Sequence, residues 1–425
     1  MEIIRELLVK RQRNKEPIEV AIVGSGLFGS GLIRELCHWP GMVPRLVVTL
    51  LKERAVESLR FSGVSSSDIV EVHTGKELKK AIAERKYVIT DDLALIKEAS
   101  AIDVVFEATG DVEVGAQAAL IAFDQNKHFL TVNSEMDATI GCTLSAIAKE
   151  RSIVYSNSDG DQPGVLMRMI NELTLQGFDI VVAGNGKGFL NYYATPDSVR
   201  QWVREVDNPK LITSATDGTK QGLELTVLAN ATGLVPDARG MHGPKVTKET
   251  IIEEFLKRIA QEGIIDYAMG TNVNLGKTVF VIGKREEAVA KSDLEYFGIG
   301  EGPYYLFFKG YHLCYFEAPR TIADAALFNL PSMAPQKRVA DVFAVAKRDL
   351  HAGEKLDGIG GYTVYGLIDK SEIIKKEQLL PLGIAEYAVL KTNIRKDTPI
   401  TYEMVDLPNN RIAVSLRKKE EALID

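Results

Sequence analysis

The feature that most restricts how this chain can fold lies near its start. A largely apolar run, Ile18–Val23, meets Gly24-Ser25-Gly26-Leu27-Phe28-Gly29, and Leu32, Ile33 and Leu36 then recur at helical spacing. That order reads as strand, tight turn and helix. Glycines at these spacings let the turn close, let backbone amides approach an anion, and let the helix pack against the strand. The spacing alone marks many ordinary turns; the strand before it and the helix after it favour dinucleotide binding.

Further short apolar runs at Leu46–Leu50, Val104–Ala108 and Phe129–Val132 alternate with helical stretches. Such alternation predicts an α/β fold with a doubly wound parallel sheet of Rossmann type. A strand at Ile153–Ser156, a helix over Val165–Leu175 and the run Ile180–Ala183 begin a second α/β unit. From Asp341 the texture changes to short strands and turns, among them Val342–Ala346, Gly358-Ile-Gly-Gly361, Tyr362–Leu367 and Ala388–Leu390. We expect a nucleotide domain over 1–155, an α+β catalytic and dimerisation domain over 156–334, and a small β-rich domain with a tail over 335–425. The closing residues, RKKEEALID, read as a solvated tail.

A chain of 425 residues exceeds one ordinary core, and 45% hydrophobic with 26% charged residues is a globular balance. The net charge of −7 and the lack of a long basic run argue against nucleic acid. Cys37, Cys142 and Cys314 are far apart and lack metal-knuckle spacing, which suits a reduced, cytoplasmic setting. The N-terminal segment mixes acids and bases through its apolar positions, unlike a signal peptide, and no window is long enough to span a bilayer.

An acidic residue at the tip of the second strand would bond the ribose hydroxyls of NAD, but Thr49-Leu50-Leu51-Lys52-Glu53-Arg54 stands there. Lys52 and Arg54 offer charges for a 2′-phosphate, which predicts NADP(H); Glu53 leaves NAD open, and a solvated charged turn is the plain alternative. Ala108, Thr109 and Gly110, in Glu107-Ala-Thr-Gly110, close a strand on the same sheet edge and are expected to pass close to the nicotinamide half, with an ordinary turn as the alternative.

The ordered segments GSGLFGSGL, EATGDVEVG, TVNSE, VYSNSDGDQPG, GNGKGFLNY and GLELTVLANATG resemble homoserine dehydrogenase over roughly residues 18 to 235. The resemblance implies hydride transfer involving a small carbonyl compound, and it places Asn133 beside the cofactor. Where that family carries Asn-Lys, this chain has Asn133-Ser134-Glu135. The family's Asp and Lys, four residues apart on a helix, correspond to Lys220 and Glu224 here, with the charges exchanged. These two share a helix face, where a simple ion pair is common. Loss of both family lysines argues against homoserine as substrate.

The run VFAVAKRDLHAGEKLDGIGGYTVYG, with IAEYAVLKTNIRKDTPITYEMVDL after it, resembles an SAF domain. Together the three parts resemble the second type of 1-deoxy-D-xylulose 5-phosphate reductoisomerase, the DXR-like proteins of isoprenoid precursor synthesis. The resemblance implies a homodimer or homotetramer that rearranges a phosphorylated ketose and reduces it with NADPH. It also implies catalytic roles for Glu135, Lys187, Lys220 and Glu224. Mg²⁺ or Mn²⁺ would find oxygen ligands in Glu135, Asp159, Asp161 and Glu224, although Asp159-Gly160-Asp161 also suits a plain turn. Lys187, in Gly184-Asn-Gly-Lys-Gly188, and Arg239, His242 and Lys245 in one basic loop are candidates for the substrate phosphate; Lys277 after Asn274 is a weaker one. Two other readings stay open: a reductase of another phosphorylated polyol or hydroxy-oxo acid, and a non-catalytic NAD(P) sensor. Trp39, Trp202 and the stretch Tyr304–Phe308 are expected in cores or subunit contacts.

Overall fold

The computed structural model describes residues 2–202, 208–270 and 277–423. The chain forms two compact units, and the first is assembled from three separate stretches, Met1–Asp161, Leu313–Ala334 and Arg411–Asp425.

In the first unit, α1 (Glu2–Asn14) precedes seven parallel strands, β1 (Ile18–Val23), β2 (Met42–Val48), β3 (Ile69–Glu71), β4 (Tyr87–Thr90), β5 (Val104–Glu107), β6 (His128–Thr131) and β7 (Tyr155–Asn157). The order across the sheet is β3-β4-β2-β1-β5-β6-β7. Crossover helices α2 (Leu27–His38), α3 (Lys52–Phe61), α4 (Gly75–Ala83), α5 (Val112–Asp124) and α6 (Ser134–Glu150) connect the strands. This is the α/β, doubly wound fold expected from the alternation, and the order reverses between β1 and β5. Val20, Ile22, Leu32, Ile33, Phe106 and Leu130 are fully buried in one core. The helix Ala318–Phe328 adds Ala318 and Ile322 to that same core, so a segment distant in sequence completes it.

The chain's last residues are not a solvated tail. Ile412–Leu423 forms a helix in which Ala413, Val414 and Leu416 are buried. Glu113 accepts from the amides of Ile412 and Ala413 at 2.6 and 3.1 Å, supplying the carboxylate that a helix N-terminus favours. Glu420 accepts from the amide and hydroxyl of Thr143 on α6, and Arg417 donates to the Thr139 carbonyl.

Asp137, fully buried in α6, accepts from the Tyr155 hydroxyl at 2.7 Å. Burial, and less strongly the nearby Glu420 carboxylate, push its pKa up from 3.8 to about 6. A group raised on folding stabilises at low pH, and that contribution is lost as pH climbs through the folded-state value. A rise from 3.8 to about 6 corresponds to ~3 kcal/mol at most. Asp137→Asn, which keeps an acceptor for Tyr155, is therefore expected to melt higher than wild type at pH 8 and nearly with it at pH 4. Melting curves across that range check it.

The second unit comprises Gln162–His312 and Pro335–Asn410. It opens with α7 (Gln162–Leu175) and builds a five-stranded mixed sheet from β8 (Asp179–Lys187), β9 (Val235–Pro236), β10 (Ile264–Met269), β11 (Val279–Lys284) and β12 (Tyr304–Lys309), in the order β12-β11-β8-β10-β9. Two short helices, α8 (Pro209–Thr216) and the almost entirely buried α9 (Thr219–Thr232), lie between β8 and β9 in sequence. Residues from 335 on form the antiparallel pairs β13 (Ala340–Ala346) with β14 (Val364–Lys370) and β15 (Val389–Leu390) with β16 (Val405–Asp406).

The β13–β14 pair is tied to α9. Asn230 accepts from the amides of Val339 and Ala340, and Thr219 accepts from the Gly366 amide at 2.9 Å. The GIGG turn has a structural use: Lys347 donates to the Gly361 carbonyl at 2.7 Å and pairs with Asp217 at 2.8 Å, both side chains buried. At Gly360, φ is +69° and a Cβ would lie 2.0 Å from the Lys210 carbonyl oxygen, so only glycine permits this approach.

Candidate functional site

The first candidate lies where the strand order reverses in the first unit, at the carboxyl ends of β1 and β5. Gly24 turns the chain after β1 with φ +95°, and a Cβ there would lie 3.0 Å from the Ala108 carbonyl oxygen. Gly29 is tighter: its Cβ would sit 2.0 Å from the Gly24 carbonyl oxygen. Gly26 differs from both, with no atom within 4 Å of a Cβ. It stands at the N-cap of α2, where no side chain caps the first-turn amides, and the helix start so left is one that suits a phosphate.

Ser25 and Phe28 support this turn. Ser25 bonds Thr49 at 2.7 Å and donates to the Leu51 carbonyl at 2.9 Å, tying the tips of β1 and β2 together. Phe28 stacks on Phe106 at 5.8 Å, whereas Leu27 is exposed. Gly110, φ +71°, is sterically open like Gly26.

Glu107, the last residue of β5, escaped the sequence reading as a site residue. It is completely buried and accepts from Thr109 N–H at 2.7 Å, the Thr109 hydroxyl at 2.5 Å, Thr131 at 2.8 Å and the Asn133 amide at 3.3 Å. Burial raises its pKa, against the pull of these donors. Asn133, 1% exposed, also donates to the Asp111 carbonyl and caps α6 through Met136 N–H. Glu107 and Asn133 thus set the shape of the Ala108–Gly110 turn from beneath. The Glu-x-Thr spacing at a strand end was the available signal.

Lys52 is committed elsewhere. It pairs with Glu71 and Asp91, each at 2.6 Å, so its charge is already compensated and a role on a 2′-phosphate loses its footing. Arg54 stands in the first turn of α3. Accordingly, Lys52→Ala should leave the ratio of NADPH to NADH affinity nearly unchanged, while Arg54→Ala should lower it roughly tenfold, the worth of one charged hydrogen bond. Titrations of cofactor fluorescence measure both.

Of the four carboxylates proposed as cation ligands, Glu135, Asp159 and Asp161 belong to the first unit. Glu135 is buried in the first turn of α6, and Asp159 accepts from Gly160 N–H at 2.8 Å, the bond of an ordinary turn. Among the described residues, these three do not bring their oxygens within 4.8 Å of one another. As a set they do not offer the converging oxygens that the shell of a divalent cation needs.

The second candidate is a narrow crevice of about 10 Å³ within the second unit, lined by Lys187, Tyr192, Gln221, Met241, Tyr267 and Leu367 among others. Lys187, at the end of β8, is 7% exposed and donates to the Ala215 carbonyl at 2.5 Å. Burial lowers its pKa, and the carboxylates of Asp217 and Glu224 oppose that. Lys220 and Glu224 form an ion pair at 3.8 Å on α9, the plain reading of their spacing, though the pair is largely buried rather than on the surface.

The basic loop does not present its charges as expected. Arg239 donates to Asp369 at 2.7 Å and Glu377 at 2.8 Å, and His242 bonds Asp237 at 2.9 Å, so neither is poised for a phosphate. Lys245 is exposed. The loop is instead pinned by Asp266, buried and pushed up in pKa by that burial, which accepts from the amides of His242, Gly243 and Tyr267. Lys277 is described, but Asn274 lies outside the described residues. Trp39 packs against the first core, and Trp202 meets Phe189 edge-on at 5.8 Å.

Among curated proteins, none matches this chain in sequence. Among solved structures, the putative oxidoreductase YvaA of Bacillus subtilis is similar at 14% identity, over 74% of this chain and 89% of its own, with a TM-score of 0.37. A putative myo-inositol dehydrogenase of Sinorhizobium meliloti is similar at 9% identity, over 74% and 90% of the two chains, with a TM-score of 0.41. 1-Deoxy-D-xylulose 5-phosphate reductoisomerase of Zymomonas mobilis, solved with NADPH, is similar at 16% identity over 49% of this chain and 56% of its own, with a TM-score of 0.34. Residues 160–318, a little over a third of the chain, match the family model described as oxidoreductase DRL, catalytic domain.

Proposed function

We propose that this chain is an NAD(P)H-dependent reductase of a small carbonyl compound of the sugar-phosphate or polyol kind. The observation that carries the proposal is the open, uncapped start of α2 at the point where the sheet order reverses, with Gly24 and Gly29 sterically required and Gly26 free for an approaching phosphate. The match of residues 160–318 to an oxidoreductase catalytic domain supports it.

In this reading the first-turn amides of α2 hold the pyrophosphate, and the Ala108–Gly110 turn, shaped by Glu107, borders the nicotinamide. The bound cofactor supplies a hydride. Lys187 supplies the proton: its ammonium is desolvated and so readily gives up a proton to the oxygen of a carbonyl being reduced. Glu224 and Asp217 favour its charged form until then.

Within this class, 1-deoxy-D-xylulose 5-phosphate is the substrate the family resemblance implies. Direct reduction of a hydroxy-oxo acid, or of a ketose or aldose to another polyol, is favoured by two observations: Arg239 and His242 are bound to carboxylates, and Glu135, Asp159 and Asp161 do not converge. The test is oxidation of NADPH and NADH with 1-deoxy-D-xylulose 5-phosphate, erythrose 4-phosphate and a series of hydroxy-oxo acids, each with Mg²⁺ and with chelator. Oxidation unaffected by chelator is expected. Cofactor binding without turnover on any of them would favour a sensor, and no cofactor binding would end the proposal.

A further inference from the structure

The helix Ile412–Leu423 holds both of the helices that start beside the Ala108–Gly110 turn. On α5 a single carboxylate receives it: Glu113, in the first turn, accepts from the amides of Ile412 and Ala413 at 2.6 and 3.1 Å and pairs with Arg411 at 3.5 Å. On α6 the contacts are made to the backbone. The Thr143 amide and the Thr139 carbonyl are four residues apart, the partners of one rung in a regular helix. Here they meet Glu420 at 3.0 Å and Arg417 at 3.1 Å.

Glu113 is not needed to start its own helix. Asp111 does that, accepting from the amides of Glu113 and Val114 at 2.8 Å each. Nor does the packing of the helix Ile412–Leu423 depend on it, since Ala413, Val414 and Leu416 are buried. The carboxylate instead lies between the starts of two helices, where both dipoles favour it. A displacement of the first turn of α5 would pass directly to the Ala108–Gly110 turn, because hydrogen bonds join the two. Asp111 N–H donates to the Thr109 hydroxyl at 3.1 Å, Asn133 donates to the Asp111 carbonyl at 2.9 Å, and Glu107 accepts from both Thr109 and Asn133. Little room is left for α5 to settle elsewhere: a Cβ on Gly115 would lie 2.7 Å from Met136 Sδ and 3.1 Å from Asn133 Nδ2.

We propose that Glu113 is a positioning residue for the nicotinamide: by receiving the start of the helix Ile412–Leu423 it fixes the first turn of α5, and with it the Ala108–Gly110 turn, in the shape against which the nicotinamide lies. The assignment rests on the dinucleotide reading of the glycine turn. It divides the cofactor in two. The pyrophosphate, held by the first turn of α2, is indifferent to Glu113, and the nicotinamide half is not.

The experiment compares the full chain with Glu113→Gln and Ile412→Pro. The first keeps the side chain's shape but leaves one acceptor oxygen. The second removes one of the two amides that Glu113 receives, at the first helical position, where proline is well tolerated. Each protein is titrated calorimetrically with NADPH and NADH, and with their nicotinamide-free counterparts, 2′-phospho-ADP-ribose and ADP-ribose. Glu113→Gln is expected to bind the dinucleotides roughly tenfold more weakly and Ile412→Pro about threefold, fractions of a charged hydrogen bond. Both variants are expected to bind the nicotinamide-free molecules like wild type and to shift the fluorescence of bound NADPH. A purely structural Glu113 would lower the melting temperature without changing the ratio of the two affinities, so an unchanged ratio in Glu113→Gln overturns the proposal. Ile412→Pro is read in the same way if Glu113→Gln does not fold. A wild type that binds neither a dinucleotide nor its counterpart ends the dinucleotide reading and this role together, whereas binding of both with ratios unmoved in the variants ends only the role of Glu113.

Discussion

Gly26→Val is expected to fold like wild type and to lose its dinucleotide, whereas Gly29→Ala should lose both stability and cofactor. The contrast follows from what a single Cβ would meet. At Gly26 nothing lies within 4 Å of an added Cβ, and the backbone, φ −65° and ψ −159°, is extended rather than left-handed. A valine there fills only the space that a phosphate would enter. Keeping the phosphate from two first-turn amides forfeits two charged hydrogen bonds, each worth about 1.5–3 kcal/mol, or roughly 10²–10⁴-fold in affinity. At Gly29 the new Cβ would lie 2.0 Å from the Gly24 carbonyl oxygen, a backbone atom that cannot step aside alone. Either α2 or the turn must shift, at a cost of ~3 kcal/mol in overpacking. Calorimetric binding of NADPH together with melting curves separates the two outcomes. Wild-type affinity in Gly26→Val would place the cofactor elsewhere.

Replacing Lys187 with methionine should cut kcat by roughly 10²–10⁴-fold, the usual worth of a positioned general acid, and should not destabilise the protein at neutral pH. Burial holds the Lys187 pKa below its ordinary 10.5. A lysine lowered in this way is a net cost to the fold below its folded-state pKa, and the cost fades as pH rises toward the unfolded value. Methionine removes that cost while filling similar space. In wild type, kcat should fall as pH rises through the lowered lysine value, because the proton donor is lost; the variant's residual rate should lack that limb. Loss of stability in the variant comparable to a core truncation would instead assign Lys187 a structural role through its bond to the Ala215 carbonyl.

What could be read from the residues was local. β1 was legible to the residue because a short apolar run ends at a glycine. β3 and β4 were not, since three or four residues among charged neighbours leave no period to detect. The last helix looked like a solvated tail because its charges are satisfied by Glu113, Thr143 and the Thr139 carbonyl, far earlier in the chain. Of the candidate site, the glycines were legible because their role is steric and contained in one turn. Arg239 was misjudged for the opposite reason: its partners Asp369 and Glu377 are 130 and 138 residues away, and no spacing announces them. Lys52 fell to Glu71 and Asp91 in the same way. A cation in a sequence advertises charge, but only the fold reveals whether that charge is already spent.

The first unit gathers Leu313–Ala334 and Arg411–Asp425 onto a sheet whose strands all precede residue 158. During synthesis, therefore, the ribosome releases the whole sheet long before the pieces that finish it. Ala318 and Ile322 reach the waiting core only after the second unit's main sheet has emerged, and the helix that Glu113 caps arrives later still. A nascent chain halted before residue 411 would carry α6 without the groups that meet its Thr143 and Thr139. Completion of the first unit is thereby timed by the arrival of residues 411–423.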